Sequence, residues 1–492
     1  MSLADHRNKT DVPSTRCHWL ATCTALLALS WTMPGMAARC YVDATATGGD
    51  HGRTWIDAYT DLQSALHDGG CTEIWVAKGI YKPTTSTDRT VSFAVPSGLR
   101  VYGGFVGNET NAEQRDPVVN VTVLSGDLAG DDVNTDGNFI NETSDDIVGD
   151  NAYHVVVMNG RTVPIAWDTV LDGFTITGGD SANNDPAADH VNGGGLLCDA
   201  RIEPGAKCSP TLSHLVMTGN RANLGGAMYF EGGDIAARLV DITFRGNLAT
   251  ETGGAMSIHV GYDKTPILTN VTFVNNIAAV GGAINVEYTS PILTNVTFVG
   301  NQATFGGAIY GQYSHNASLT NVTFVDNHAD ITGGAMLLNV DTSAPPSNLT
   351  NVILWGNSAQ QGNEIGLFYP TFGSDAAVVT LKHSIVQGGN AGIARVDNTV
   401  DTSFSDGLGN LDADPMLGPL TNNGGFTQTL MPAIGSPAIN ATPCGISPFF
   451  DQRGAPRPGP TEAWDPMGCD IGAVERQGPQ DGDLIFADGF DS

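Results

Sequence analysis

Positive charge is what this sequence lacks most. Its 492 residues hold 22 Lys plus Arg against 52 Asp plus Glu, a formal charge of −30 at pH 7. Nucleic acid and anionic membrane surfaces repel such a chain, so neither is expected as a partner. A polyanionic glycan is disfavoured too, unless a cation screens the contact. Long apolar runs are also missing. The best, Trp19–Trp31, has 13 residues, too few to span a bilayer comfortably. It follows the basic residues His6, Arg7, Lys9 and Arg16 and precedes Pro34-Gly-Met-Ala37. Residues 1–37 therefore read as an export signal, and the mature chain is expected to carry no transmembrane segment.

Helical periodicity is nearly absent. DLQSALHD at 61–68 is the one good helix candidate, an amphipathic segment suited to plugging one end of a fold. Familiar catalytic signatures are absent as well. There is no G-x-S-x-G, no H-E-x-x-H and no phosphate loop. Cysteine is sparse: beyond the signal only Cys40, Cys71, Cys198, Cys208, Cys444 and Cys469 remain. They fall into three sequence-local couples, and no C-x-x-C spacing suggests a metal site. Disulfides Cys40–Cys71, Cys198–Cys208 and Cys444–Cys469 are expected in an oxidising compartment.

What the sequence has is repetition. Gly-Gly-Ala recurs at Gly225, Gly253, Gly281, Gly306 and Gly333, always followed by Met or Ile. Phrases ending in Asn220, Asn247, Asn276, Asn301, Asn327 and Asn357 return every 25 to 30 residues. LTNVTF stands at 268–273, 293–298 and 319–324, and LTNVIL at 349–354. Within a unit Val296 and Phe298 point one way, Asn295 and Thr297 the other, which is strand alternation. Three short strands and three turns fit in one such unit. The period is too short for a propeller blade, and Leu is too sparse for a leucine-rich repeat. The expected fold is all-β: a right-handed parallel β-helix with an N-terminal cap and a small C-terminal domain. Phe273, Phe298 and Phe324 should stack inside. Asn276, Asn301 and Asn327 should form an amide ladder at a bend. Gly-Gly should turn a sharp corner.

The pairs Phe273–Asn276 with Gly281–Ile284, and Phe298–Asn301 with Gly306–Ile309, resemble the F-x-x-N and G-G-A-I motifs of the polymorphic outer membrane protein repeat. The resemblance covers about residues 210–360. It implies a surface-exposed β-helix, often adhesive, usually carried by a C-terminal membrane barrel. Too few residues follow position 390 for such a barrel, which argues against autotransport. Residues 40–127 hold a succession of phrases similar to the N-terminal part of secreted bacterial β-helix proteins. Asn423-Gly-Gly-Phe-Thr-Gln-Thr-Leu430, Gly435-Ser-Pro-Ala-Ile-Asn440, Asp451-Gln-Arg-Gly-Ala-Pro-Arg-Pro458 and Cys469-Asp-Ile-Gly-Ala-Val-Glu475 resemble the choice-of-anchor Q domain. That resemblance implies surface association and no chemistry. The chain thus divides into a signal (1–37), cap and first coils (38–165), repeat core (166–390), anchor-like domain (391–475) and tail (476–492).

Two groups are candidate sites. The acidic stretch 125–151 contains Asp132-x-Asn134-x-Asp136-Gly137, the start of an oxygen-rich calcium loop, with Asp146 available to complete the shell. The twelfth loop position is Thr143, so the match is partial. Tyr229, Tyr288, Tyr310 and Tyr313 follow Gly-Gly-Ala corners at similar positions in successive units. Exposed rings there could stack on a glycan or anchor a cell-surface protein. Asn134-Thr-Asp-Gly137 also occurs in β-helical polygalacturonases, but the remaining catalytic residues of that family have no counterpart here. The reading is an exported adhesion, ligand-binding or structural protein, with no catalytic residues assigned and calcium as the one candidate cofactor. The alternative is a polysaccharide lyase or glycoside hydrolase on the same fold. Carboxylates and a base aligned on neighbouring coils would favour the alternative.

Overall fold

The computed structural model describes residues 38–182, 191–201, 205–260, 265–312, 317–339, 347–368, 379–395, 405–406, 409–446, 448–458 and 468–477. The proposed export signal and Tyr313 lie outside the described residues.

The chain folds as a right-handed parallel β-helix. Its main wall is a sheet of long parallel strands, among them Thr211–Thr218, Arg238–Arg245, Ile267–Val274, Ile292–Val299, Ser318–Val325 and Ser347–Trp355. A second, ten-stranded wall includes Leu196–Ala200, Met228–Gly232, Met256–Val260, Ile284–Glu287, Ile309–Gln312 and Met336–Asn339. Short bridging strands such as Leu248–Thr252 and Gln302–Phe305 join the two. Each coil therefore contributes one strand per wall and advances the solenoid by about 4.8 Å.

The LTNVTF phrase explains the long wall. Leu293, Val296 and Phe298 are all fully buried, although strict alternation would put Leu293 and Val296 on opposite faces. Asn295 resolves the conflict by adopting φ +55°, which bends the strand and absorbs one residue. Asn270, Asn321 and Asn351 do the same in their coils. Asn tolerates this left-handed conformation better than other non-glycine residues. Inside, Phe244, Phe273, Phe298 and Phe324 stack with centroids 4.9, 4.7 and 4.6 Å apart and nearly parallel planes. Each buried ring contributes about 1.5–3 kcal/mol by leaving water.

The expected amide ladder is present and longer than its three-residue core. Asn220, Asn247, Asn276, Asn301 and Asn327 each donate from Nδ2 to the Oδ1 of the next, at 2.9–3.1 Å, as far as Asn357. Each Nδ2 also donates to a strand carbonyl, for Asn301 that of Phe273. The Gly-Gly corner uses its two glycines differently. Gly253 has φ +65°. At Gly254 a Cβ would sit 2.2 Å from the carbonyl oxygen of Gly282, so coil-to-coil approach requires glycine there.

At the N-terminal end the helix Leu62–His67 buries Leu62, Ala65 and Leu66 against the core, with Asp61 capping it by accepting from the Ser64 N–H. Cys40 is bonded to Cys71, Cys198 to Cys208, and Cys444 to Cys469.

The C-terminal region runs back along the outside of the long wall as a strap. Thr272 donates to the Gln428 carbonyl, Thr297 to the Gln452 side chain, and Thr442 to Asn351. The N–H groups of Gly472 and Ala473 donate to the Asn351 carbonyl and the Thr323 hydroxyl. The outward threonines of the LTNVTF repeats are therefore buried. Within the strap, Arg453 pairs with Asp451 at 2.9 Å and Arg457 with Glu475 at 3.0 Å.

Candidate functional site

The ten-stranded wall carries two outward columns. Register aligns Asp199, Glu231, His259, Glu287 and Gln312 on successive coils in the column farther from the Gly-Gly corner. Arg161 and Arg201 both bond Asp199, at 2.5 and 2.9 Å. Arg201 also reaches Glu231 at 3.0 Å, and His259 Nδ1 lies 3.2 Å from the Glu287 carboxylate. The result is a mixed-charge row in a protein otherwise poor in basic residues.

The row has divided electrostatics. Burial pushes the Glu231 carboxyl above its usual range, against the pull of Arg201. The His259 hydrogen bond holds Glu287 below its usual range, although burial opposes it. The same bond raises His259. At Asp199 burial acts upward, but the bonds from Arg201 and Arg161 outweigh it. Sequence reasoning missed this row, yet a signal was there. Glu231, His259, Glu287 and Gln312 each stand four residues after the Ala of a Gly-Gly-Ala corner.

The tyrosines divide between environments. Tyr229 and Tyr310 occupy the outward column nearest the corner, separated by Ser257 and Asn285. Tyr229 is only 2% exposed, which corrects its reading as an exposed ring. The physical reason is packing. Beside the corner other segments pack onto the wall: a Cβ on Gly193 would lie 3.0 Å from the Tyr229 Cβ, and one rung on Thr252 Oγ1 and Ser257 Oγ meet at 3.1 Å. Tyr310 is half-buried beside this crease. Tyr288 follows the strand Ile284–Glu287 at φ +58°, half-buried, with its ring 6.0 Å from that of His259.

The four residues expected around calcium are engaged in loop bonds. Asp132 accepts from the Val148 N–H and from the Asn141 and Asn151 amides. Asn134 accepts from Gly137, Asp136 from Asn138, and Asp146 from Thr143. Among the described residues, the acidic side chains that converge with Asp132 are Asp127 and Asp131, not Asp136 or Asp146.

A second carboxylate–imidazole cluster lies on the long wall. His214 Nδ1 is 3.3 Å from Asp172, its Nε2 is 3.8 Å from Asp241, and Arg115 reaches Asp172 at 2.6 Å. Phe426 of the strap packs edge-on against His214. Ser213 donates to Asp172 at 2.6 Å, so this serine is held by the carboxylate and is not set up by the histidine as a nucleophile.

The family described as the Chlamydia polymorphic membrane protein (Chlamydia_PMP) repeat matches residues 295–312. That segment runs from the left-handed Asn295 through the ladder residue Asn301 and the Gly306-Gly307 corner to Gln312, about two thirds of one coil. The chain is a β-helix protein with a repeat similar to that of polymorphic membrane proteins. No curated protein matches it. Among the described residues no helix is long and apolar enough to cross a membrane.

Proposed function

We propose that this is an exported, surface-associated β-helix protein that acts in adhesion, using the outer face of its ten-stranded wall to hold a ligand. The observation that carries this reading is the aligned row from Asp199 to Gln312, flanked by Tyr288 and Tyr310, on a solenoid whose repeat matches a membrane-protein family. Solenoids display such rows because each coil repeats the same surface position. The reading is supported further by the likeness of the C-terminal region to the choice-of-anchor Q domain, which implies that the strap belongs to an anchoring region. Protease treatment of intact producing cells tests the location, since a surface protein is shaved from them. Binding of purified protein to cells or matrix tests adhesion, and the absence of any binding would refute it.

The same row favours hydrolysis of a glycan as a second reading, because it aligns carboxylates and a histidine base on neighbouring coils. Glu231 and Glu287 sit two coils apart, roughly 9–10 Å along the backbone column, with their carboxyls shifted in opposite directions. Inverting glycosidases place an acid and a base about 6.5–9.5 Å apart. Release of reducing ends from neutral polysaccharides, lost in both Glu231→Gln and Glu287→Gln, would establish it. No release across the panel would remove it.

A further inference from the structure

We propose that the row Asp199, Glu231, His259, Glu287 and Gln312, with Arg161 and Arg201 beside it, is a binding site for a neutral glycan chain lying along the solenoid axis. The inference rests on the adhesion reading above and names the ligand class of that face.

Charge selects the class. Three carboxylates stand here with two guanidinium groups and a histidine, so the site is close to neutral inside a strongly acidic protein. A polyanion would be repelled by the protein as a whole. A polycation would be drawn to acidic surface everywhere and would gain least at the place where the arginines gather. A neutral chain of hydroxyl groups suits a row that offers donors and acceptors in turn. Carboxylates accept from hydroxyls, while guanidinium and imidazolium groups donate to them.

Spacing selects the orientation. The coil rise of about 4.8 Å is close to the length of one sugar unit in an extended glycan. Successive sugars would meet Glu231, His259, Glu287 and Gln312 in order. The polar groups are already positioned, Glu231 by Arg201 and Glu287 by His259, so little side-chain entropy is lost on binding. They remain reachable, because the Glu231 and Glu287 side chains keep about a quarter of their surface and His259 about half.

An independent observation points to a ligand. Asn285 lies on the same face of the same strand as Glu287 and is 1% exposed, yet its amide oxygen has no hydrogen-bond partner. An acceptor left unmet in this way is costly, and a ligand hydroxyl meets it where binding opens the crease around Asn285. Tyr288, beside His259, and Tyr310, on the rung after Asn285, supply ring surface at the margin for the apolar faces of sugars.

The test is calorimetric titration of the full mature chain with hexamers of glucose, xylose, mannose and N-acetylglucosamine, with oligogalacturonate as the polyanionic comparison. At least one neutral hexamer should bind and oligogalacturonate should not. The double variant Glu231→Gln/Glu287→Gln should weaken binding by about tenfold or more, the scale of one lost charge-assisted hydrogen bond. Its melting temperature should stay close to that of the parent. Glu251→Gln, on an exposed bridging strand, should change nothing. Binding of the polyanion alone, of no hexamer, or equally by parent and double variant would overturn the proposal. Adhesion that persists without hexamer binding overturns this inference alone, whereas loss of all adhesion removes the functional reading as well.

Discussion

Replacing Glu364 with Gln should stabilise the protein, and by an amount that grows with pH. Glu364 occupies the place that Ala227, Ala255, Ala283, Ala308 and Ala335 hold in earlier coils, and it is 1% exposed. It closes the amide ladder: where the earlier asparagines donate to the next Asn, Asn357 donates to Glu364 Oε2 at 2.6 Å. Burial pushes this carboxyl from 4.5 up to about 8, against the pull of the Asn357 bond. Between those values the folded protein keeps a proton that the unfolded chain has released. Stability must therefore fall as pH rises from 4.5 to about 8 and level off above that. At pH 7 the cost reaches at most about 3 to 4 kcal/mol, from 2.5 pH units at about 1.4 kcal/mol each, and relaxation of water around the buried charge lowers it. In Glu364→Gln the new amide would accept the same Asn357 bond without ionising. Urea unfolding of both proteins, followed by tryptophan fluorescence at pH 4.5, 7 and 9, isolates the effect, because taking the difference cancels the response of the other acidic groups. The variant should match the parent at pH 4.5 and exceed it by a few kcal/mol at pH 9. A difference independent of pH, or a variant less stable at pH 9, would refute the reasoning.

Three further outcomes follow from the same structure. Asn301→Ala removes the bonds of Asn301 to Phe273 and Asn327 and leaves the Asn276 donors unmet, so urea unfolding should show a loss of about 3 kcal/mol. Glu475→Gln leaves Arg457 charged and buried without its carboxylate; a loss of about 3–5 kcal/mol is expected, with limited proteolysis cutting first in the strap while the solenoid keeps its circular dichroism. The His259 imidazole, raised by its bond to Glu287, should titrate above 6.5 by NMR and drop back in Glu287→Gln. Its contribution to stability is complete below 6.5 and fades as pH rises through the raised value. Because the pair is partly exposed, that contribution stays below about 1 kcal/mol.

Much of the coil was legible from residues 268–357. Phe273, Phe298 and Phe324 carry an inward signal that only a stacked solenoid satisfies, and Asn276, Asn301 and Asn327 recur at the bend where an amide can serve backbone and neighbour together. The candidate row was less legible. Its members differ chemically from coil to coil, so Glu231, His259 and Glu287 share only their distance from a Gly-Gly-Ala corner. The tyrosines misled for a related reason. Position after the corner was readable, but the packing that buries Tyr229 depends on segments that meet only in space.

Local chemistry along the chain determined the parallel β-helix, its coil length and its inward residues, because a 25-residue period of strand alternation, Asn bends and Gly-Gly corners has one compact solution. Tertiary structure alone decided which outward residues meet solvent. Thr272, Thr297 and Thr323 face outward by pattern and are buried because a segment about 150 to 180 residues later folds back over them. Glu231, His259 and Glu287 became neighbours because coil stacking brings residues 28 positions apart onto adjacent rungs. Alternation decides the face on which a side chain lies, and long-range packing decides what covers that face.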